Sequence, residues 1–343
     1  VRGVFNPGDD RFRLDLEIVD IASGRTLARR VMDESVRNLA GLQKQPTLMV
    51  WEMLGFEPTP AALDDLEKLS TNTVTACRAS VAGRGRLLMG AGERDLLAAA
   101  ASLEQAVGED PGHAPSRIAF ARTFARLFEE TGDEHWMERA AAEADRARKL
   151  DDDSPEPYLV LGEVYETAGK TDLALAACRQ AADRATTSGP FYRLGIAATD
   201  AGEYDEAERA LQTANNLRPD WFDGQMALAV LYFDMNRLDA AANQFRHASQ
   251  AAPENPRAQI SLGAVLALQG RREEAKSVFV EALALEPNLT AYSNLGTLFF
   301  EEARYGDAAE MFEKGIELEG DDIPANQYYV VANLASALYW SGE

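Results

Sequence analysis

The chain has almost no histidine or cysteine: His113, His135 and His247, with Cys77 and Cys178, are all that its 343 residues provide. The histidines are scattered, with neither the His-Glu-x-x-His nor the Cys-x-x-Cys spacing that brings metal ligands together. No metal and no cofactor is expected. The cysteines stand 101 positions apart, each in an apolar stretch that wants a small buried side chain. They form no disulfide framework and neither require nor exclude an oxidising compartment. No run approaches the roughly 18–20 apolar residues of a membrane helix, and no signal peptide opens the sequence.

Basic charge is scarce as well. Against 34 Lys and Arg stand 56 Asp and Glu, a net charge of −22, and only the short stretch Arg84 to Arg86 runs the other way. Duplex nucleic acid and anionic membrane surfaces are therefore poor partners. The acidity reads either as a solvated face kept soluble by repulsion or as attraction for a basic partner.

Catalytic signatures are missing too. Gly83-Arg84-Gly85 and Gly90-Ala91-Gly92 lack the third glycine, the preceding strand and the Gly-Lys-Ser/Thr ending of a phosphate cradle. Asp151-Asp152-Asp153-Ser154-Pro155 lacks the glycine and distal glutamate of a calcium loop, and reads as a helix start capped by Ser154 or Asp153. Kinase motifs are absent. No enzyme is expected.

What is present is a period. Ala140, Ala174, Ala207, Ala241, Ala275 and Ala308 recur at intervals of 34, 33, 34, 34 and 33, and twelve residues before the last five stand Gly162, Gly195, Ala229, Gly263 and Gly296. Each of these small residues follows a leucine (Leu161, Leu194, Leu228, Leu262, Leu295), and most precede an apolar residue by three. Four residues after the last five alanines come Cys178, Leu211, Phe245, Phe279 and Phe312. Such spacing describes two amphipathic helices per repeat. Gly169, Gly202 and Gly270 end first helices, and Pro219, Pro253 and Pro287 stop second ones. The small residues let paired helices approach closely.

The stretches "YLVLGEVYETAGKTDLALAACRQA", "FYRLGIAATDAGEYDEAERALQTANNLRP" and three more in phase resemble the tetratricopeptide repeat. That resemblance implies a mostly all-α chain, a right-handed TPR α-α superhelix, preceded by a small α/β fragment. Residues 155–321 make five regular units, 61–154 irregular helical ones, and 322–343 the first helix of a further unit. In the irregular part Phe120-Ala121 and Ala140 are 19 apart instead of 12, and Glu129 to His135 is expected to enlarge the turn.

Residues 1–60 read as a partial α/β domain, with strands at Val1 to Phe5, Arg11 to Asp20 and Thr26 to Met32, then a helix from Val36 to Leu54 interrupted near Pro46. Val19-Asp20-Ile21-Ala22-Ser23-Gly24 and Leu39 to Gln43 resemble the end of the TolB-like module of bacterial multidomain proteins. With the repeats following, the order resembles the C-terminal region of bacterial eukaryotic-like serine/threonine kinases. This would place the segment outside the membrane, whereas cyclase relatives would keep it in the cytoplasm. Val1 and the close after an apolar helix suggest an excerpt from a longer protein.

The resemblance implies that first-helix residues line a concave groove. Counting places from the Leu-Gly pair brings Tyr192, Ile196, Met226, Val230, Phe233, Ile260 and Phe300 into an apolar ladder flanked by Asp200, Asp234 and Glu301. A stripe at helical spacing can equally be core, but the packing places are already filled. The expected ligand is a protein or peptide, such as an amphipathic helix with basic residues. The carboxylate clamp of chaperone-tail binders is not matched: Glu156, Leu159 and Glu163 occupy its places. The alternative function is self-association through Tyr328, Tyr329, Val330 and Trp340.

Overall fold

The computed structural model describes residues 2–7, 11–20, 25–35, 39–60, 62–63, 66, 70–71, 73–90, 92–319 and 327–342. They fall into two compact units, residues 1–184 and 185–343.

The first unit opens with an antiparallel sheet ordered β1 (Arg2–Pro7), β2 (Arg11–Val19) and β3 (Thr26–Ser35). Alternation in β2 turns Leu16 and Ile18 inward, and Met32 of β3, paired with Leu14, is buried beside them. Helix α1 (Leu39–Leu54) lies against β2 and β3 and, contrary to the expected interruption, runs through Pro46. The Ser23-Gly24 turn, Val36 and most of the hairpin motif lie outside the described residues.

Three helical pairs follow: α2 (Val74–Met89) with α3 (Glu93–Glu109), α4 (Ala114–Thr131) with α5 (Glu134–Leu150), and α6 (Glu156–Thr167) with α7 (Thr171–Asp183). The wide spacing in the second pair does not enlarge its turn, which is only Gly132 and Asp133. Instead α4 and α5, with 18 and 17 residues, are longer than their counterparts α6 and α7, with 12 and 13. Seven residues are nearly two helical turns, so the insertion leaves the same faces inward. The core of these pairs is Leu96, Leu103, Phe124, Leu127, Val160 and Val164.

Arg117 and Glu143 form an ion pair at 3.0 Å within this unit, their side chains 14% and 8% exposed. Gly83 explains its own identity. A Cβ there would stand 2.4 Å from Leu103 Cγ, so the glycine seats α2 on α3. Ser154 accepts a hydrogen bond from the Glu156 amide, and Asp152 accepts from the Tyr158 hydroxyl, which assigns that acidic run to a helix start.

The second unit stacks α8 (Ser188–Asp200) with α9 (Tyr204–Leu217), α10 (Phe222–Asp234) with α11 (Leu238–Ala251), α12 (Pro256–Leu268) with α13 (Arg272–Leu285), and α14 (Leu289–Glu301) with α15 (Tyr305–Glu319), then α16 (Tyr329–Ser341). The 34-residue rhythm is physical here. A Cβ on Gly195, Gly263 or Gly296 would stand 2.4, 2.6 or 2.8 Å from Leu211, Phe279 or Phe312 sixteen residues on, so each large side chain of a second helix lies on the bare backbone of the first.

The turns are equally regular. The amides of Lys170, Glu203, Arg237, Arg271 and Arg304 each reach back five residues to a carbonyl of the first helix, at 2.8–3.0 Å. The residue before each has positive φ: Gly169, Gly202 and Gly270, but also Asn236 and Ala303, which the glycine rule alone does not find. Alanine at φ 58° carries a left-handed penalty of about 1–2 kcal/mol. Ala303→Gly is expected to stabilise the protein by roughly 0.5–1 kcal/mol once the extra unfolded-state entropy of glycine is deducted, read as a higher urea midpoint at unchanged slope.

Candidate peptide-binding groove

In the second unit the first helix of one pair touches the first helix of the next, α8 with α10, α12 with α14 and α14 with α16, while no two second helices make a comparable contact. The first helices thus form the inner row of this stack, and their side chains facing away from the second helices line its surface.

Val230 and Phe233 stand open on α10, 44% and 41% exposed. Tyr192, Ile196, Ile260 and Phe300 are half-buried, and Asp200, Asp234 and Glu301 are exposed. Met226 is the exception: at 8% exposure it is interior, not groove lining. The reason is the closeness of the helices. α10 lies directly on α8 and α14 on α12, and in these two helices the corresponding place, Met226 or Ser293, is closed over. In α12 the same place holds Ile260 and stays half-open.

The structure adds residues that counting did not select. Trp221, at the start of α10, sits with its ring 4.6 Å from that of Tyr192 and enlarges the aromatic end of the surface. Leu268, two turns beyond Ile260, is 63% exposed and continues its stripe; the i, i+4, i+8 series through Ala264 was the available signal. At the other end an open hollow of about 130 Å³ lies among Thr297, Phe300, Phe312, Asn333 and Ser336.

Charge on the rim is partly committed. Glu301 accepts from Arg272 at 2.9 Å, and Lys276 bridges Glu273 and Glu302, hydrogen bonds that hold its ammonium above the ordinary lysine value. Asp200 and Asp234 make no ion pair among the described residues. The cations at hand are engaged elsewhere: Arg237 lies 4.5 Å over Tyr232 and pairs with Glu208 at 2.7 Å, and Arg304 lies 4.3 Å over Phe299 and pairs with Asp307 at 2.7 Å. Burial pushes the Tyr232 hydroxyl above its usual value. In the first unit, Glu156 and Glu163, at the places of a carboxylate clamp, both face Arg122. Among the described residues no group of three metal-ligating side chains comes together, and no helix is long and apolar enough to cross a membrane.

Paired helices at this period, with small-against-large contacts and a repeated turn, define the repeat, and sequence profiles of the tetratricopeptide repeat match residues 137–190, 198–263, 232–297 and 289–322. The chain belongs to the tetratricopeptide-repeat family. Among curated tetratricopeptide and related proteins it is similar to the type IV pilus assembly protein PilF of Pseudomonas aeruginosa, 28% identical over 156 residues, which are 45% of this chain and 60% of PilF. It is also similar to the peroxisomal targeting signal receptor of Candida albicans, 34% identical over 104 residues, 29% of this chain and 18% of the receptor. The chain spans less than two thirds of the length of either. The solved structure of Pseudomonas aeruginosa PilF superposes with a TM-score of 0.50 at 18% identity, covering 63% of this chain and 95% of the chain in that structure. The Cut9–Hcn1 assembly gives 0.50 at 16%, covering 80% and 56%. At these identities the likeness is one of fold. A tetratricopeptide fold is a scaffold for protein contacts.

Proposed function

We propose that residues 185–343 bind a partner protein as an amphipathic helix or peptide carrying basic residues, laid across the first helices of this tetratricopeptide unit. The observation that carries the reading is that α10 exposes two apolar side chains, Val230 and Phe233, while exposed acids, Asp200 and Asp234, close the ends of α8 and α10, the place that Leu268 takes in α12. Large side chains left exposed at the centre of a surface whose packing places are filled supply hydrophobic contact area, and acids at its edge select cations. The protein acts as a scaffold and not as an enzyme. The order of strands, helix and repeats supports service in a bacterial signalling protein such as a serine/threonine kinase. The receptor from Candida albicans is by its name a reader of a targeting signal, which lends support to peptide capture here.

The test is selection from a displayed library of helical peptides. Winners should share an apolar stripe with Lys or Arg beside it, and a Val230→Glu/Phe233→Glu variant should enrich none of them. Winners that bind this variant equally well would remove the groove from the account.

A further inference from the structure

Helix α2 departs from the rest of this acidic chain. It holds three arginines, Arg78, Arg84 and Arg86, and no acid. Its inward face is Ala76, Ala79, Ser80, Gly83 and Leu87, packed on α3 and α4. On the opposite face Val81 and Leu88 are 65% and 81% exposed, and Met89 beside them is exposed as well. At 100° per residue Val81 and Leu88 lie in one line, with Arg84 along one side of it and Arg78 along the other. Arg86 is turned away and donates to Ser102 at 2.7 Å, whereas Arg78 and Arg84 are exposed and make no ion pair among the described residues.

This is a basic amphipathic helix already folded and presented outward, which is the ligand chemistry that the groove of residues 185–343 calls for. We propose that the Val81–Leu88 face of α2 docks in that groove on a second copy of the chain; the inference rests on the groove reading above. Charge complementarity selects the occupant: the chain carries −22 overall, and α2, a helix without an acid, presents Arg78 and Arg84 beside its exposed apolar line. The spacing agrees. Val81 and Leu88 are seven residues apart, about 10 Å along the helix, close to the 8–10 Å between packed helix axes, so the two side chains reach successive first helices of the partner copy. Arg78 and Arg84 then flank the stripe within reach of acids such as Asp200 and Asp234. Because the two surfaces differ, the contact is heterologous and propagates head to tail. It also differs from association through the aromatic residues of α16.

Sedimentation velocity on the full chain tests this with two variants altered only at exposed positions, Val81→Asp/Leu88→Asp on α2 and Val230→Asp/Phe233→Asp in the groove, each checked by circular dichroism. The unaltered protein should sediment faster as concentration rises, and less so at high salt. Each variant alone should stay monomeric. A mixture of the two should form a dimer and nothing larger, since one intact α2 meets one intact groove. A monomeric unaltered protein overturns the proposal, and so does association that survives either variant. If that monomer floats with phosphatidylserine vesicles in a manner lost in the α2 variant, the helix serves an anionic membrane instead. If it still selects basic helical peptides through Val230 and Phe233, only self-docking fails and the groove reading stands.

Discussion

Phe279→Ala is expected to lower the free energy of unfolding by about 3–5 kcal/mol. The ring is fully buried, and it rests on Gly263, whose missing side chain leaves the space that the ring fills. An alanine would open a void that the glycine cannot refill, and the repeat on either side is tied through helices that both lean on this pair. Urea denaturation followed by circular dichroism measures the loss. The same contact is made by progressively smaller groups, Leu211 on Gly195 and Cys178 on Gly162. Alanine replacements should therefore rank in cost Phe279, Leu211, Cys178. A loss below about 1 kcal/mol at Phe279 would mean the small-against-large contact is not what holds the pairs together.

Glu143→Leu is expected to cost a similar amount, about 3–5 kcal/mol, for an electrostatic reason. Arg117 is 14% exposed and satisfies its guanidinium through Glu143 Oε2 at 3.0 Å and the Pro111 carbonyl at 3.0 Å. Without the carboxylate its charge stays in the interior with one acceptor lost. Arg146, which also meets Glu143, is 60% exposed and returns to water at little cost. Arg117→Met in the same chain removes the stranded charge, so the double variant should recover most of the stability. A single variant as stable as the parent would place water, not Glu143, as the true counterpart of Arg117.

The helices were legible because their packing rests on side-chain volume at a fixed interval: Gly195 needs Leu211, Gly263 needs Phe279, and both members of each pair are written in the sequence. Positions set by chain geometry instead of volume were less visible. Asn236 and Ala303 take a left-handed turn that glycine alone advertises, and the residues around Glu129 to His135 extend two helices because a helix can absorb two turns without rotating its face. The groove was legible only in part. Counting places treats every repeat alike, yet how closely neighbouring first helices approach varies along the stack, which closes over Met226 and leaves Ile260 half-open. Trp221 reaches the surface from the start of a helix, outside the counted places. The outward face of α2 is hard to read from the sequence because Arg84 and Arg86, only two residues apart, point to different sides of the helix.

Capture of a basic helix by the exposed apolar side chains on the inner row of residues 185–343 is measurable in solution. Calorimetric titration of a library-selected basic amphipathic peptide into the protein, and into the Val230→Glu/Phe233→Glu variant, tests it most directly. One site per chain is expected, weakening as salt rises, with affinity reduced at least a hundredfold in the variant, roughly 2.7 kcal/mol or more. Equal affinity for both proteins would contradict it.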